Sequence, residues 1–74
     1  MAKKWIIEDG ELKLGNVDFH FQLASNRQNV KGGGFWWYDE EKGKMFFYGI
    51  STDFGQVSQQ DWDTCDKSLS LIHI

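Results

Sequence analysis

The sequence predicts an α+β domain: a small, mostly antiparallel sheet of about five strands with one C-terminal helix. Three observations predict the class. Apolar residues alternate with polar ones in several short runs, turn residues punctuate those runs, and a serine with an acidic first turn opens a segment near the C-terminal end.

Trp5-Ile6-Ile7 reads as a short apolar strand, and Asp9-Gly10 after it is a strong two-residue hairpin signal. Glu11-Leu12-Lys13-Leu14 alternates, Gly15-Asn16 offers a second tight turn, and residues 17–24 alternate again as a third strand. There Val17, Phe19, Phe21 and Leu23 share one face, and Asp18, His20 and Gln22 the other. With Gly15-Asn16 as a turn, Leu14 pairs with Val17, Lys13 with Asp18 and Glu11 with His20. Lys13 and His20 then lie diagonally on one polar face, within reach of a single ligand. Residues 25–31 read as polar loop. Residues 33–38 and 44–49 form an aromatic hairpin around Asp39-Glu40-Glu41-Lys42-Gly43, a solvated turn. Alternation through Phe35-Trp36-Trp37-Tyr38 gives Phe35 and Trp37 to the core. It turns Trp36 and Tyr38 outward as a stacking surface for a nucleobase or another planar group. Ser58 caps a helix running to about Asp66, with Asp61 where the helix dipole favours a negative charge.

Composition sets the limits. At 74 residues the chain is one domain with a thin core, because a chain this short buries only roughly 60% of its unfolded surface. Its 16% aromatic content compensates, since each ring can bury about 150–250 Å², and with a net charge of only −3 it excludes disorder. The single cysteine, Cys65, excludes a disulfide scaffold and a cysteine-based zinc site, and it is expected to pack inside the helix. No metal or cofactor is expected. A pI near 5.1 argues against general nucleic-acid binding. No run reaches the length of a membrane span and no secretory signal opens the chain, so a cytoplasmic protein without a membrane partner is expected. The thin core makes a homo-oligomer an expectation as well. Leu69-Ser70-Leu71-Ile72-His73-Ile74 reads as the in-frame translation of a transposase sequencing adapter; the alternative is an ordinary apolar strand. On the adapter reading the domain is residues 1–68 and residues 69–74 are an artefact tail. The source is then shotgun metagenomic DNA, viral genes included, and the natural chain continued beyond about Ser68. His73 carries no weight, which leaves His20 as the imidazole to consider.

Three features suit chemistry. Gly32-Gly33-Gly34 frees the backbone for close approach by a ligand or a neighbouring strand, with a bulge or a crowded crossing the favoured reading. Residues 49–55 (Gly49, Ile50, Ser51, Thr52, Asp53, Phe54, Gly55) leave a strand and run towards a helix. Their backbone N–H groups and hydroxyls suit an anion-binding nest or, equally, a plain connection. His20 is a lone strand histidine that gains interest only beside Lys13.

Together these residues resemble the Janus/Ocnus family of phosphohistidine phosphatases. The likeness rests on Gly32-Gly33-Gly34, the short hairpin after it, and Tyr48-Gly49-x-Ser51-x-x-Phe54-Gly55 before a helix. Upstream, Asp9-Gly10-x-x-Lys13 is similar to the family's strand with a phosphate-facing lysine, and Asp18-Phe19-His20 to the strand with its histidine. The resemblance implies His20 as nucleophile or base and Lys13 as a phosphate ligand. It implies Gly49 to Asp53, with Gly33 and Gly34, as the cradle. Phe35 stands where the family's enzymes carry an arginine after the triple glycine, which removes a fork-shaped phosphate donor. Asp53 replaces a small neutral residue, the helix between the first strand and the histidine strand is replaced by Gly15-Asn16, and a cysteine-rich approach to the glycines is missing. The reading favoured by these departures and the added aromatics is a small-molecule sponge. It would bind or sequester a phosphorylated, nucleotide-like ligand, for instance a viral protein capturing a host nucleotide signal. The alternatives are a small phosphohistidine or phosphoramidate phosphatase using His20, and an interaction domain whose aromatic face joins a second subunit.

Overall fold

The computed structural model describes residues 1–68. Four strands form one antiparallel sheet: β1 (Ala2–Glu8), β2 (Glu11–Val17), β3 (Val30–Asp39) and β4 (Lys44–Tyr48), in the spatial order β2-β1-β3-β4. A single helix, α1 (Gln59–Thr64), follows them. The class is α+β, with four strands instead of five. The tail predicted at residues 69–74 lies outside the described residues. No helix among the described residues is long and apolar enough to cross a membrane.

The first hairpin turns at Asp9 and Gly10, whose φ angles of 51° and 75° are both left-handed, as a two-residue turn matched to strand twist requires. The second turn does not exist. β1 begins at Ala2 rather than Trp5, so Gly15 and Asn16 find cross-strand partners in Lys4 and Lys3, and the ladder runs unbroken to Ala2↔Val17. A continuous ladder outweighs the turn preference of two residues. Gly15 has another use: Leu23 lies where its side chain would be.

The third predicted strand is also absent. Residues His20–Leu23 form a 3-10 turn, held by Gln22, whose side-chain oxygen accepts from the Asp18 amide at 3.0 Å and the Phe19 amide at 2.9 Å. In a 3-10 turn, positions three apart face the same way. His20 and Leu23 therefore both turn to the sheet, while Phe19 and Phe21 turn out and stack at 5.4 Å. This breaks the predicted faces, because Leu23 turns in with His20 and away from Phe19 and Phe21. The pairs Leu14–Val17, Lys13–Asp18 and Glu11–His20 do not form.

The sheet has a helix face and a loop face. On the helix face Trp5, Ile7, Leu12 and Cys65 make the core, with Leu14, Trp36, Phe47, Val57 and Trp62 packed against it. The Trp5 ring lies 5.3 Å from Trp62 and 6.2 Å from Phe47, and its Nε1 donates to the Phe35 carbonyl at 2.7 Å, so its polar edge is satisfied. Ser58 caps α1 by accepting from the Asp61 amide at 3.1 Å. The helix stops sooner than predicted, because Asp66 leaves it to bridge β2: its amide donates to Gly10 O at 2.7 Å and its carbonyl accepts from Leu12 N at 2.9 Å. On the loop face, Ile6 and Glu8 are buried, as is His20 above them.

β3 carries the triple glycine into the crowded centre. It bulges against β1 between Ile7↔Gly32 and Glu8↔Val30. A methyl group on Gly33 would overlap the Trp5 carbonyl and lie 3.1 Å from the His20 ring; one on Gly34 would overlap the Tyr48 carbonyl. Both obstacles are backbone atoms that cannot swing aside. Gly33→Ala and Gly34→Ala are expected to cost on the order of 1–3 kcal/mol each, and for a domain this small each kcal/mol lowers Tm by about 4–8 °C. Unchanged melting of either variant by circular dichroism would refute this account of the glycines.

Candidate functional site

Gly33 and Gly34 are the meeting point of two of the three predicted features. From above, His20 Nε2 lies 2.7 Å from the Gly34 carbonyl. A carbonyl only accepts, so Nε2 is the donor in this bond. The imidazole stands edge-on to the Phe35 ring, 5.4 Å away, and the residue is 2% exposed. From the side, the segment after β4 pairs with Gly33: Ser51 N donates to Gly33 O at 2.9 Å and Gly33 N to Gly55 O at 3.1 Å. Asp53 completes the contact between the two, its carboxylate accepting from the Phe21 amide at 3.4 Å.

The loop is filled by its own side chain. Ser51 is buried, and its Oγ accepts from the amides of Asp53 at 3.2 Å and Phe54 at 3.1 Å. Those amides are the groups an anion would need. Thr52 and Asp53 are exposed, as are Gly49 and Ile50, and the Asp53 carboxylate adds negative charge at the rim.

Lys13 does not join this group. It shares a cross-strand row with Ile6 and Gly33, with β1 between it and β3, so at about 4.8 Å per strand its backbone is roughly 10 Å from Gly33. Its ammonium instead meets Glu8 Oε1 at 2.5 Å and Ser25 Oγ at 3.3 Å. Glu8 is a buried carboxylate with further donors in the Ser25 amide at 3.0 Å and the Asn26 amide at 2.5 Å. Burial acts to raise its pKa, but Lys13 and the two amides outweigh that and hold it down, from 4.5 to about 2.

The aromatic run is also turned over. Trp36, predicted outward, packs against the core and donates from Nε1 to the Lys4 carbonyl at 3.0 Å; Tyr38 is half-buried on the same face. Trp37, predicted inward, is 55% exposed. The reason is parity: Trp36 pairs with Phe47, and α1 covers that face.

The loop face consequently carries an aromatic strip that sequence reasoning missed. Phe35 stacks on Tyr48 at 6.0 Å, the Lys4 ammonium lies 5.8 Å from the Phe35 ring and 5.9 Å from that of Phe19, and Phe21 stacks beyond Phe19. Trp37 and Phe46 form the next cross-strand pair on the same face. Phe19 is 55% and Tyr48 57% exposed. Lys4 also donates to the Asp18 carbonyl. No local signal marked it: the β1–β3 register sets Lys4 opposite Phe35, and the 3-10 turn brings Phe19 to it. No protein-family model, curated protein or solved structure matches the chain.

The Glu8 cluster gives a pH signature. A carboxylate held at about 2 when folded and 4.5 when unfolded contributes stability that is complete above about pH 4.5 and is lost as pH falls towards 2. Glu8→Gln should melt lower at pH 7 and lose less Tm between about pH 5 and pH 3 than the unmodified protein. Parallel profiles for the two would show that Glu8 is not the linked group.

Proposed function

We propose that the domain binds a small, planar, phosphorylated molecule of nucleotide type on its loop face and does not turn it over. The observation that carries this reading is the Lys4 ammonium set 5.9 Å from the exposed Phe19 ring and 5.8 Å from the half-buried Phe35 ring. A planar base gains by stacking on Phe19 or Tyr48, whichever base it is, because every base has a π-face. Lys4 supplies the countercharge for a phosphate, as a point charge rather than a fork. Turnover needs more than this. Groups must stabilise charge that grows in the transition state, whereas the Ser51 loop spends two of its amides on its own hydroxyl and Phe35 supplies no donor.

A second reading keeps His20 as the nucleophile or base of a phosphohistidine or phosphoramidate phosphatase. The place of His20 against the Gly34 carbonyl favours it, and 2% exposure opposes it.

Two measurements test these readings. In titrations with adenosine monophosphate followed by NMR, shift changes are expected at Lys4, Phe19, Phe35 and Tyr48. Phe19→Ala should weaken binding by roughly 5- to 140-fold, from about 1–3 kcal/mol per stacked base at 1.4 kcal/mol per tenfold. Adenosine should bind more weakly than its monophosphate, and the difference should shrink with added salt. Changes confined to the Asp39–Gly43 turn would remove the loop face from consideration. Separately, phosphate release from phosphohistidine should be no faster with the unmodified protein than with His20→Gln, which keeps a donor for the Gly34 carbonyl. Robust release that His20→Gln abolishes would make the enzyme reading the right one.

A further inference from the structure

The two outer edges of the sheet are treated differently. β2 is closed where it begins, because Asp66 lies alongside it in a parallel bridge to Glu11. β4 has no such cover. Among the described residues, the backbone groups of Lys44–Tyr48 have no partner strand except β3, and the β3–β4 ladder is regular from Phe35↔Tyr48 to Asp39↔Lys44. Nothing in the strand blunts it. It has no proline, no bulge and no inward charge, and its one charged residue, Lys44, sits at the end. An open edge of this kind is a template for another strand.

We infer that this edge pairs with β4 of a second copy, antiparallel, to make one continuous eight-stranded sheet. Three observations select a second copy. The first is charge. Antiparallel pairing about a two-fold axis at Phe46 sets each Lys44 opposite Tyr48 of the other copy, an ammonium beside an exposed π-face. A parallel in-register pair would instead set Lys44 against Lys44. The second is facing. Lys44, Phe46 and Tyr48 lie on the loop face, with Phe46 45% and Tyr48 57% exposed, so the same operation sets Phe46 against Phe46. On the helix face, Met45 meets Phe47 of the other copy beside a groove of about 480 Å³ whose lining mixes Met45, Phe47 and Trp62 with the polar Gln56, Ser58 and Gln59. The third is extent. Two half-exposed rings at about 150–250 Å² each supply roughly 150–250 Å² of aromatic surface per copy. A standard interface needs about 800 Å² per partner. A five-residue strand edge supplies only part of the remainder, so the dimer is one that dissociates on dilution. It also gives the aromatic strip a second cation, Lys44 of the other copy beside Tyr48. The pairing does not depend on any ligand and is tested without one.

The 74-residue chain is examined by sedimentation across a micromolar to millimolar concentration series. The expected mass rises from 8.6 kDa to twice that value. Phe46→Lys places like charges at the two-fold axis and should weaken the dimer at least tenfold, with the monomer still folded by circular dichroism because the ring lies outside the core. Phe46→Cys should form a disulfide-linked dimer on mild oxidation, since facing Cβ atoms lie about 4.5–5.5 Å apart across such a pair. The partner of the new thiol should be its own equivalent and not the buried Cys65. A monomer at every concentration with fast-exchanging β4 amides overturns the inference, because the edge is then open in solution. A monomer with protected β4 amides overturns it too, by showing the edge occupied within one chain. A dimer indifferent to Phe46→Lys places the interface elsewhere.

Discussion

Close approach at Gly33 and Gly34 is the constraint from which the rest of the structure follows. A side chain there would hold β1 away from β3, lift His20 off the sheet and push the Ser51 loop from the strand's open flank. With hydrogen in its place, one stretch of backbone accepts a strand on one side, a loop on the other and an imidazole from above. The absence of two methyl groups thus organises the centre of a domain whose fully buried apolar residues are few.

The second organising element is polar. Glu8 is buried yet charged, and it brings an ammonium and two amides to one carboxylate. Burying a carboxylate is costly unless its oxygens are satisfied, and here three donors share them. Those donors come from β2 and from the segment entering the 3-10 turn Arg27–Asn29, so the pair fixes the path of the chain between the first hairpin and β3. Lys13 serves this arrangement, which is why it is turned from the glycines. The loop face divides accordingly: a closed polar cluster at the Glu8 end and an exposed aromatic strip with Lys4 at the other.

What the sequence disclosed depended on how local the determining force was. Asp9-Gly10, the hairpin around residues 39–43 and the Ser58 cap are set by neighbouring residues, and all three form where they were predicted. The errors arose where a distant partner decided. Gly15-Asn16 has turn chemistry, but a strand beginning at Ala2 supplies partners for both residues. Residues 17–24 alternate convincingly, yet Gln22 folds back on the Asp18 and Phe19 amides and changes the period from two to three. The parity of Trp36 and Trp37 depended on which face α1 would cover, which no local pattern reveals. For the candidate site, His20, Gly33, Gly34 and Ser51 were joined only by the family resemblance. They do come together, but His20 arrives through a 3-10 turn and not through the predicted pairing with Glu11 beside Lys13. Lys4 and Phe19 were not legible, because their meeting rests on the misread 3-10 turn.

The bond between Asp66 and the first hairpin bears on when this chain can fold. Asp66 closes on Gly10 and Leu12, and Trp62 on Trp5, so the first strand's main aromatic partner is among the last residues of the domain to be made. The hairpin of β1 and β2 is local and can form early, but its apolar face waits for a helix more than half a chain away. Non-local closure of this kind slows folding, because loop entropy is lost before the contacts reward it. On the ribosome the emerging chain would hold Ile7 and Leu12 exposed until the α1 segment leaves the exit tunnel. Folding is then completed in one step, when the two ends of the domain meet.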